Sequence, residues 1–189
     1  MATALRVLGI VGSLRTGAYN ASLMNAAAAL APPGVTIDRC SLADIPVYNQ
    51  DVEAHGDPAA VASLRAAVRD ASALLVASPE YNYGVPGVLK NAIDWISRPP
   101  GKSPLPRKPV AIMGVSSGPS GTMRMQIQLR VTMQALDMYA MPKPEISMSF
   151  CKDKFDADGR LTDPKTLEHL KAFMLSFAEW ARRFVPPTS

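Results

Sequence analysis

Short apolar runs alternate with longer amphipathic segments along the sequence, and this alternation limits the folds open to the chain. The runs are rich in Val, Ile and Leu and have the length of single strands. The segments between them repeat apolar residues at helical spacing, as at Val61, Leu64 and Val68. Strands alternating with helices predict a parallel α/β sheet with helices on both faces. The predicted strands cover residues 5–11, 35–40, 74–77, 110–115 and 146–150, and the predicted helices cover residues 22–30, 61–68, 86–97, 125–136 and 167–184.

Five strands favour one of the two common orders of doubly wound sheets. The order 2-1-3-4-5 is the flavodoxin-like arrangement, which places ligands beyond the carboxyl ends of the strands where the order reverses. A length of 189 residues suits one domain, so we expect residues 1–189 to form a single unit. A long loop is predicted over residues 44–57. It ends at Asp57, which predicts an N-cap, and Pro58 follows as a first-turn proline. The aromatic stripe of the last helix is typical of core packing rather than of a cofactor site: Phe173, Phe177, Trp180 and Phe184.

Composition argues against several classes of function. Charged residues make up 19% of the chain, the net charge is +4 and like charges do not cluster, so nucleic-acid binding is not indicated. No apolar run reaches the roughly 18 to 20 residues that span a bilayer, so we expect no membrane association. Two isolated cysteines, Cys40 and Cys151, predict structural thiols and a cytoplasmic location. His55 and His169 lack metal-ligand spacing, so we expect no metal site.

The loop after the first strand, residues 12–20, leads directly into a predicted helix. A helix N-terminus attracts anions through its free N–H groups and its dipole. Ser13, Thr16 and Asn20 offer short hydrogen-bond donors, and Arg15 offers a forked cation. The segment therefore predicts a phosphate site, although an ordinary capping turn with a solvated arginine remains the alternative.

Two other phosphate-binding motifs do not fit this loop. Gly12 and Gly17 have the glycine spacing of the P-loop (Walker A motif) of nucleoside triphosphate-binding proteins. Ala18 and Tyr19, however, stand where that motif needs Lys and Ser or Thr. The dinucleotide fingerprint needs the pattern G-x-G-x-x-G, which GIVG at residues 9–12 does not supply. A monophosphate with an attached flat ring fits best.

The loops after the third and fourth strands are also unusual. Residues 79–86 present Tyr81, Asn82 and Tyr83 within a short turn, and we expect Gly84 to adopt unusual backbone angles there. Such a turn is suited to bordering a flat heterocycle, although a tyrosine-bearing turn that packs on its neighbours is the alternative. Residues 116–121 are small and polar, so their backbone can approach a ligand closely, or they form a plain connection.

These motifs resemble those of the NADPH-dependent FMN reductase family, which includes bacterial quinone and chromate reductases and relatives of the azoreductases. The resemblance rests on GSLR at residues 12–15 with Asn20, and on PEYNYGVPGVLKNAIDW at residues 79–95. It extends from about residue 5 to residue 149. It implies non-covalently bound FMN, with NADPH or NADH as the electron donor.

The resemblance also implies which residues contact the flavin. The phosphate would lie on Ser13, Arg15, Tyr19 and Asn20, and Ser116 would line the ring. Ala18 stands where close relatives carry a serine, which predicts the loss of one hydroxyl contact to the phosphate. The isoalloxazine ring would lie against Pro79, Glu80, Tyr81, Asn82 and Tyr83.

The expected reaction is an oxidoreductase cycle in two halves. Hydride passes from NAD(P)H to flavin N5, and the reduced flavin then reduces a quinone, free flavin, chromate or azo compound, in ping-pong order. A donor N–H from the Asn82 region would stabilise the reduced flavin, and we expect no catalytic side chain. The alternatives are a flavodoxin-type electron carrier without nicotinamide activity, which the basic charge of this chain disfavours, and a non-flavin scaffold.

The family also forms homodimers and homotetramers. Arg124 and Glu145 match charged positions that meet between subunits in quinone-reducing relatives, and Ile127 stands where those relatives have a joining tyrosine. A helix-surface arginine and a strand-edge glutamate with no such role are the alternative reading.

Overall fold

A parallel sheet forms the centre of the molecule in the computed structural model, which describes residues 4–185. Strands pair in the order β2-β1-β3-β4-β5, with β6 also beside β4, and every pairing is parallel. The predicted flavodoxin-like order is therefore confirmed. The strands are β1 (Leu5–Val11), β2 (Val35–Cys40), β3 (Ala73–Ala77), β4 (Pro109–Val115), β5 (Tyr139–Ala140) and β6 (Ile146–Met148).

Two short strands share the fifth position of the sheet, where a single strand over residues 146–150 was predicted. β5 pairs with the beginning of β4, and β6 pairs with its end. The segment between them contains Pro142 and Pro144, which lack the N–H that a continuous ladder requires. The fifth strand is therefore interrupted, and its second part ends beside the loop after β4.

Helices cover both faces of the sheet. They are α1 (Tyr19–Ala29), α2 (Gln50–Glu53), α3 (Ala59–Asp70), α4 (Gly87–Ile96), α5 (Met123–Ala135) and α6 (Pro164–Arg182), with a 3-10 turn over Cys151–Lys154. α1 begins three residues earlier than predicted, and α2 lies inside the predicted long loop. One core packs α1 and α6 on the sheet, and the other packs α3, α4 and α5 on the opposite face. Both faces of the central strands are therefore buried, as expected for parallel strands.

The aromatic stripe of α6 belongs mostly to the core, as predicted. Phe173 and Phe177 are fully buried. The Trp180 indole N–H donates to the Tyr139 carbonyl oxygen at 3.0 Å, which ties the end of α6 to β5. Phe184 differs from the prediction, because it lies beyond the helix and is partly exposed, with its ring centroid 4.3 Å from that of Tyr139.

The predicted N-cap of α3 is wrong, because Pro58 occupies the cap position. Asp57 instead accepts two hydrogen bonds from Arg65, from Nε at 2.6 Å and Nη2 at 3.0 Å. The same guanidinium donates to the carbonyl oxygens of Trp95 and Ile96 at the end of α4. The Arg65 side chain is only 8% exposed, so this charge depends on its partners for its solvation.

Asp57→Asn should therefore destabilise the protein by about 2 kcal/mol, because it removes the charge that compensates a buried guanidinium. Urea unfolding followed by circular dichroism measures the change. Asp38→Asn is the matched control, since the Arg6–Asp38 pair is 66% and 62% exposed and should contribute about 0.5 kcal/mol or less. Equal losses in the two variants would contradict this account of Arg65.

Candidate functional site

The loops after β1, β3 and β4 converge on one cavity at the carboxyl ends of these strands. Its volume is about 530 Å³, within the range of small-molecule sites. All the site residues predicted from the sequence line this cavity except Asn82 and Tyr83. Ala18, Ser117, Cys151 and Lys152 also line it. The spatial clustering of the three loops is as the strand order requires.

Helix α1 begins at the cavity without a capping side chain. Ala18 occupies the N-cap position in an extended conformation, and no described side chain caps the helix. The first turn also has no acidic residue. Because the first N–H groups of a helix have no partner within the helix, this end can bind an anion. Gly17, at φ 67°, supplies the left-handed residue that turns the chain into the helix.

Asn20 has a different role from the one its sequence position suggested. Its side chain is buried, donates from Nδ2 to the Val115 carbonyl oxygen at 2.9 Å, and accepts from the Val115 N–H at 3.0 Å. The Asn20 amide, which the sequence suggested as a donor to an anion, is therefore bound to the end of β4. The pair fixes the start of α1 to the end of β4 and leaves the backbone N–H of Asn20 for a ligand.

Two cations line the cavity without acidic partners. Arg15 lies 5.7 Å from the centroid of the Tyr19 ring and donates to the Thr16 carbonyl oxygen. Lys152 extends from the 3-10 turn. Among residues 4–185, no carboxylate lies within 4.0 Å of either cationic group. The cavity is consequently electropositive, which favours a negatively charged ligand.

Glu80 is the one acidic residue in the described lining, and its carboxylate is already engaged. Its side chain is 8% exposed. One oxygen accepts from the Met125 backbone N–H at 3.0 Å, and the other accepts from Arg124 at 3.3 Å. Because Met125 lies in the first turn of α5, Glu80 caps that helix from outside. Glu80 therefore anchors the second loop to α5.

The second loop folds into a tight two-residue hairpin. Tyr81 and Gly84 exchange backbone hydrogen bonds, and the two residues between them, Asn82 and Tyr83, have φ of 48° and 63°. The backbone angles match a type I′ turn, which is costly for a tyrosine. The expectation that Gly84 supplies the unusual angles is wrong. A Cβ there would lie 3.0 Å from Oε1 of Gln128, so the glycine makes room for that side chain.

The two tyrosines of this hairpin point to different neighbours. The Tyr81 hydroxyl lies 3.4 Å from Ser13 Oγ and so bridges the first and second loops. The Tyr83 ring instead packs against the Arg124 guanidinium, with 4.1 Å between the ring centroid and Cζ of Arg124. Gln128 donates to the Tyr83 carbonyl oxygen at 3.0 Å. Tyr81 therefore belongs to the cavity, whereas Tyr83 joins the surface of α5.

The third loop is held by the segment that follows β6. The Ser116 N–H donates to the Met148 carbonyl oxygen at 2.9 Å, and the Ser116 carbonyl oxygen accepts from the Cys151 N–H at 3.2 Å. This pairing brings Cys151 and Lys152 to the cavity. Burial raises the pKa of the Cys151 thiol, so the group stays neutral at physiological pH. Sequence patterns did not indicate these two residues, because only long-range strand pairing places them.

Residues 4–185 offer neither a metal-binding cluster nor a membrane-spanning helix. No group of three or more His, Cys, Asp or Glu side chains in that part of the chain could hold a metal ion. Likewise, none of its helices combines the length and the apolar character needed to cross a bilayer.

Known proteins with similar sequences and structures agree with this geometry. The family model described as NADPH-dependent FMN reductase matches residues 5–153. The chain belongs to this family. An NAD(P)H-dependent FMN reductase of Pseudomonas aeruginosa is 48% identical over 183 residues, which cover 97% of this chain and 98% of that protein. A quinone reductase of Escherichia coli K12 is 40% identical over 186 residues, covering 97% and 98% of the two chains.

Among solved structures, the flavoenzyme NAD(P)H:(acceptor) oxidoreductase FerB of Paracoccus denitrificans superposes with a TM-score of 0.88 at 33% identity. The match covers 96% of this chain and 99% of that one. The predicted family and class of enzyme, an oxidoreductase, are therefore confirmed. The predicted cofactors, FMN with NADPH or NADH, are those of the family.

Proposed function

We propose that this FMN reductase family member binds FMN in the cavity described above and uses NAD(P)H to reduce a second small molecule. The observation that carries the proposal is the uncapped start of α1, which opens into a cavity whose unpaired charges are Arg15 and Lys152. A phosphate monoester matches this arrangement in charge and in hydrogen bonding. Bound flavin would supply the redox chemistry, accepting a hydride from NAD(P)H and passing electrons to the acceptor.

The phosphate contacts divide between side chains and backbone. Ser13 and Arg15 contribute a hydroxyl and a forked cation, and Tyr19 and Asn20 contribute first-turn N–H groups. Lys152 adds a second positive charge. In this assignment Asn20 acts through its backbone, because its amide is bound to Val115.

The flavin ring lies against the second loop, on Pro79, Glu80, Tyr81, Asn82 and Tyr83, with Ser116 on the third loop. Glu80 contributes by holding this loop on α5. Tyr83 lies outside the cavity lining, so its contribution is the shape of the hairpin. A backbone N–H from the Asn82 region stabilises the reduced ring. No side chain of the chain is assigned as a proton donor or acceptor.

The acceptor is a quinone, free flavin, chromate or azo compound, reduced in a ping-pong sequence. Quinone reductase is the name of one relative, which supports this class of acceptor. Residues 1–189 act as a single domain. The two cysteines are unpaired thiols, which suits a reducing compartment such as the cytoplasm.

The enzyme assembles as a homodimer or homotetramer through α5. Met123, Ile127 and Val131 recur at four-residue spacing, and each is more than half exposed. Apolar side chains at this spacing form one stripe along a helix, which is typical of a contact surface. Within the chain, Arg124 pairs with Glu80 and Glu145 pairs with Arg130. Contacts of Arg124 and Glu145 between subunits would add to these pairs.

Arg15→Ala should weaken FMN binding about 10- to 100-fold, because a charge-assisted hydrogen bond contributes about 1.5–3 kcal/mol. Ala18→Ser should strengthen it several-fold, because it restores the hydroxyl contact to the phosphate that the serine of close relatives implies. Titration of the apoprotein followed by quenching of FMN fluorescence gives both affinities. Arg160→Ala is the control, since that side chain is 77% exposed and does not line the cavity. An affinity for Arg15→Ala equal to that of the control would refute the phosphate assignment.

Initial rates measured with NADPH and a benzoquinone should give parallel lines in double-reciprocal plots, the pattern of ping-pong kinetics. The physical reason is that donor and acceptor use the same exposed face of the ring in turn. Intersecting lines would show a ternary complex and contradict this sequence. The absence of any NADPH or NADH oxidation across a panel of acceptors would contradict the enzymatic function itself.

Ile127→Asp should shift the protein to a smaller species in gel filtration, because it places a carboxylate in the centre of the apolar stripe. This substitution is preferable to one at Arg124, which also supports the second loop. Val47→Asp is the matched control, since Val47 is 85% exposed outside the stripe. An unchanged elution volume for Ile127→Asp would exclude α5 as the contact surface.

A further inference from the structure

A second cavity of about 480 Å³ adjoins the flavin cavity along the first loop. It shares Ser13 and Arg15 with the flavin cavity, and its other walls come from the end of β2 and the residues that follow. Arg39 and Ser41 line only this second cavity. The two cavities therefore lie side by side at the carboxyl ends of neighbouring strands.

The second cavity is cationic. Arg15 and Arg39 both line it, and no Asp or Glu is among its described lining residues. Neither guanidinium has a carboxylate within 4.0 Å in residues 4–185. Arg39 donates to a neutral partner, Oδ1 of Asn25, at 2.7 Å, which leaves its charge uncompensated. Cys40 does not oppose an anion, because burial raises its pKa to about 11 and keeps the thiol neutral.

The guanidinium of Arg39 and the hydroxyl of Ser41, which line only this cavity, suit a phosphate monoester better than a diester. A monoester carries close to two negative charges at neutral pH, because its second pKa is near 6. The forked guanidinium donor matches its oxygens, and Ser41 adds a hydroxyl group. The pyrophosphate of a dinucleotide carries one charge on each phosphorus, whereas the 2′-phosphate of NADPH is a monoester. This phosphate is also the group that distinguishes NADPH from NADH.

The position of Arg39 supports the same ligand. In sheets that carry the dinucleotide fingerprint, an acidic residue near the end of the second strand contacts the ribose 2′-hydroxyl of NAD, whereas an arginine nearby accommodates the 2′-phosphate of NADP. This chain lacks the fingerprint, so the comparison concerns only the chemistry of an arginine at this position. Arg39 is the next-to-last residue of β2, and the acidic residue before it, Asp38, pairs with Arg6. An arginine therefore lies at the end of β2, in the lining of the second cavity.

We infer that the second cavity binds the 2′-phosphate of NADPH through Arg39 and Ser41, beside the first loop that holds the FMN phosphate, and that it makes the enzyme select NADPH over NADH. This inference rests on the proposed function, which makes NADPH a substrate. It assigns Arg39 as a specificity-determining residue that does not contact the flavin.

The test compares Arg39→Ala with the unmodified protein, both loaded with FMN, by calorimetric titration with 2′,5′-ADP and with 5′-AMP. The unmodified protein should bind 2′,5′-ADP at least tenfold more tightly than 5′-AMP, and Arg39→Ala should remove most of this difference. Arg39→Lys should retain part of it, because it keeps the charge. Arg160→Ala is the control for general loss of positive charge, and thermal melting verifies that each variant folds.

Steady-state kinetics provide the second measurement. Arg39→Ala should lower kcat/KM for NADPH about tenfold or more, leave that for NADH within twofold, and leave FMN content unchanged. Equal affinities of the unmodified protein for the two nucleotides would overturn the inference, as would an undiminished preference in Arg39→Ala. If the proposed function fails, no variant oxidises NADPH or NADH. In that case the calorimetric comparison of 2′,5′-ADP with 5′-AMP still decides the role of Arg39.

Discussion

The buried pair between the Asn20 amide and the backbone of Val115 connects the parts of the molecule on which the cavity depends. The amide satisfies both polar groups of a residue at the end of β4, where the ladder would otherwise leave them without partners. It also fixes the first turn of α1 relative to the third loop. Because both groups lie away from water, the pair tolerates little displacement. The start of α1, which lines the cavity, is consequently bound directly to the central sheet.

The electrostatic character of the cavity follows from how its one carboxylate is used. Glu80 faces α5, where a backbone N–H and Arg124 compensate it. The same interaction holds the hairpin whose two left-handed residues are unfavourable in isolation. One carboxylate thus stabilises a strained turn and leaves Arg15 and Lys152 without competition for a ligand. Loop shape and cavity charge are coupled through a single side chain.

The sequence predicted the sheet well because its strands are buried on both faces and read as continuous apolar runs. It did not predict β5, which has only two residues and depends on pairing with β4. The approximate location of the site followed from loops beside consecutive strands. Individual roles did not, because the partners are distant in sequence: Asn20 meets Val115, and Glu80 meets Met125. The role of Gly84 was not predictable for the same reason, because the glycine makes room for the side chain of Gln128, which is distant in sequence.

Ala18 at the N-cap of α1 links the stability of the fold to the ligand that binds there. A helix that begins with alanine lacks an internal cap, so a bound anion completes the hydrogen bonding of its first turn. Any ligand that binds only the folded state stabilises it in proportion to the logarithm of its concentration. FMN bound at this helix end would therefore stabilise the folded chain, and a fall in the concentration of FMN would raise the fraction of unfolded molecules.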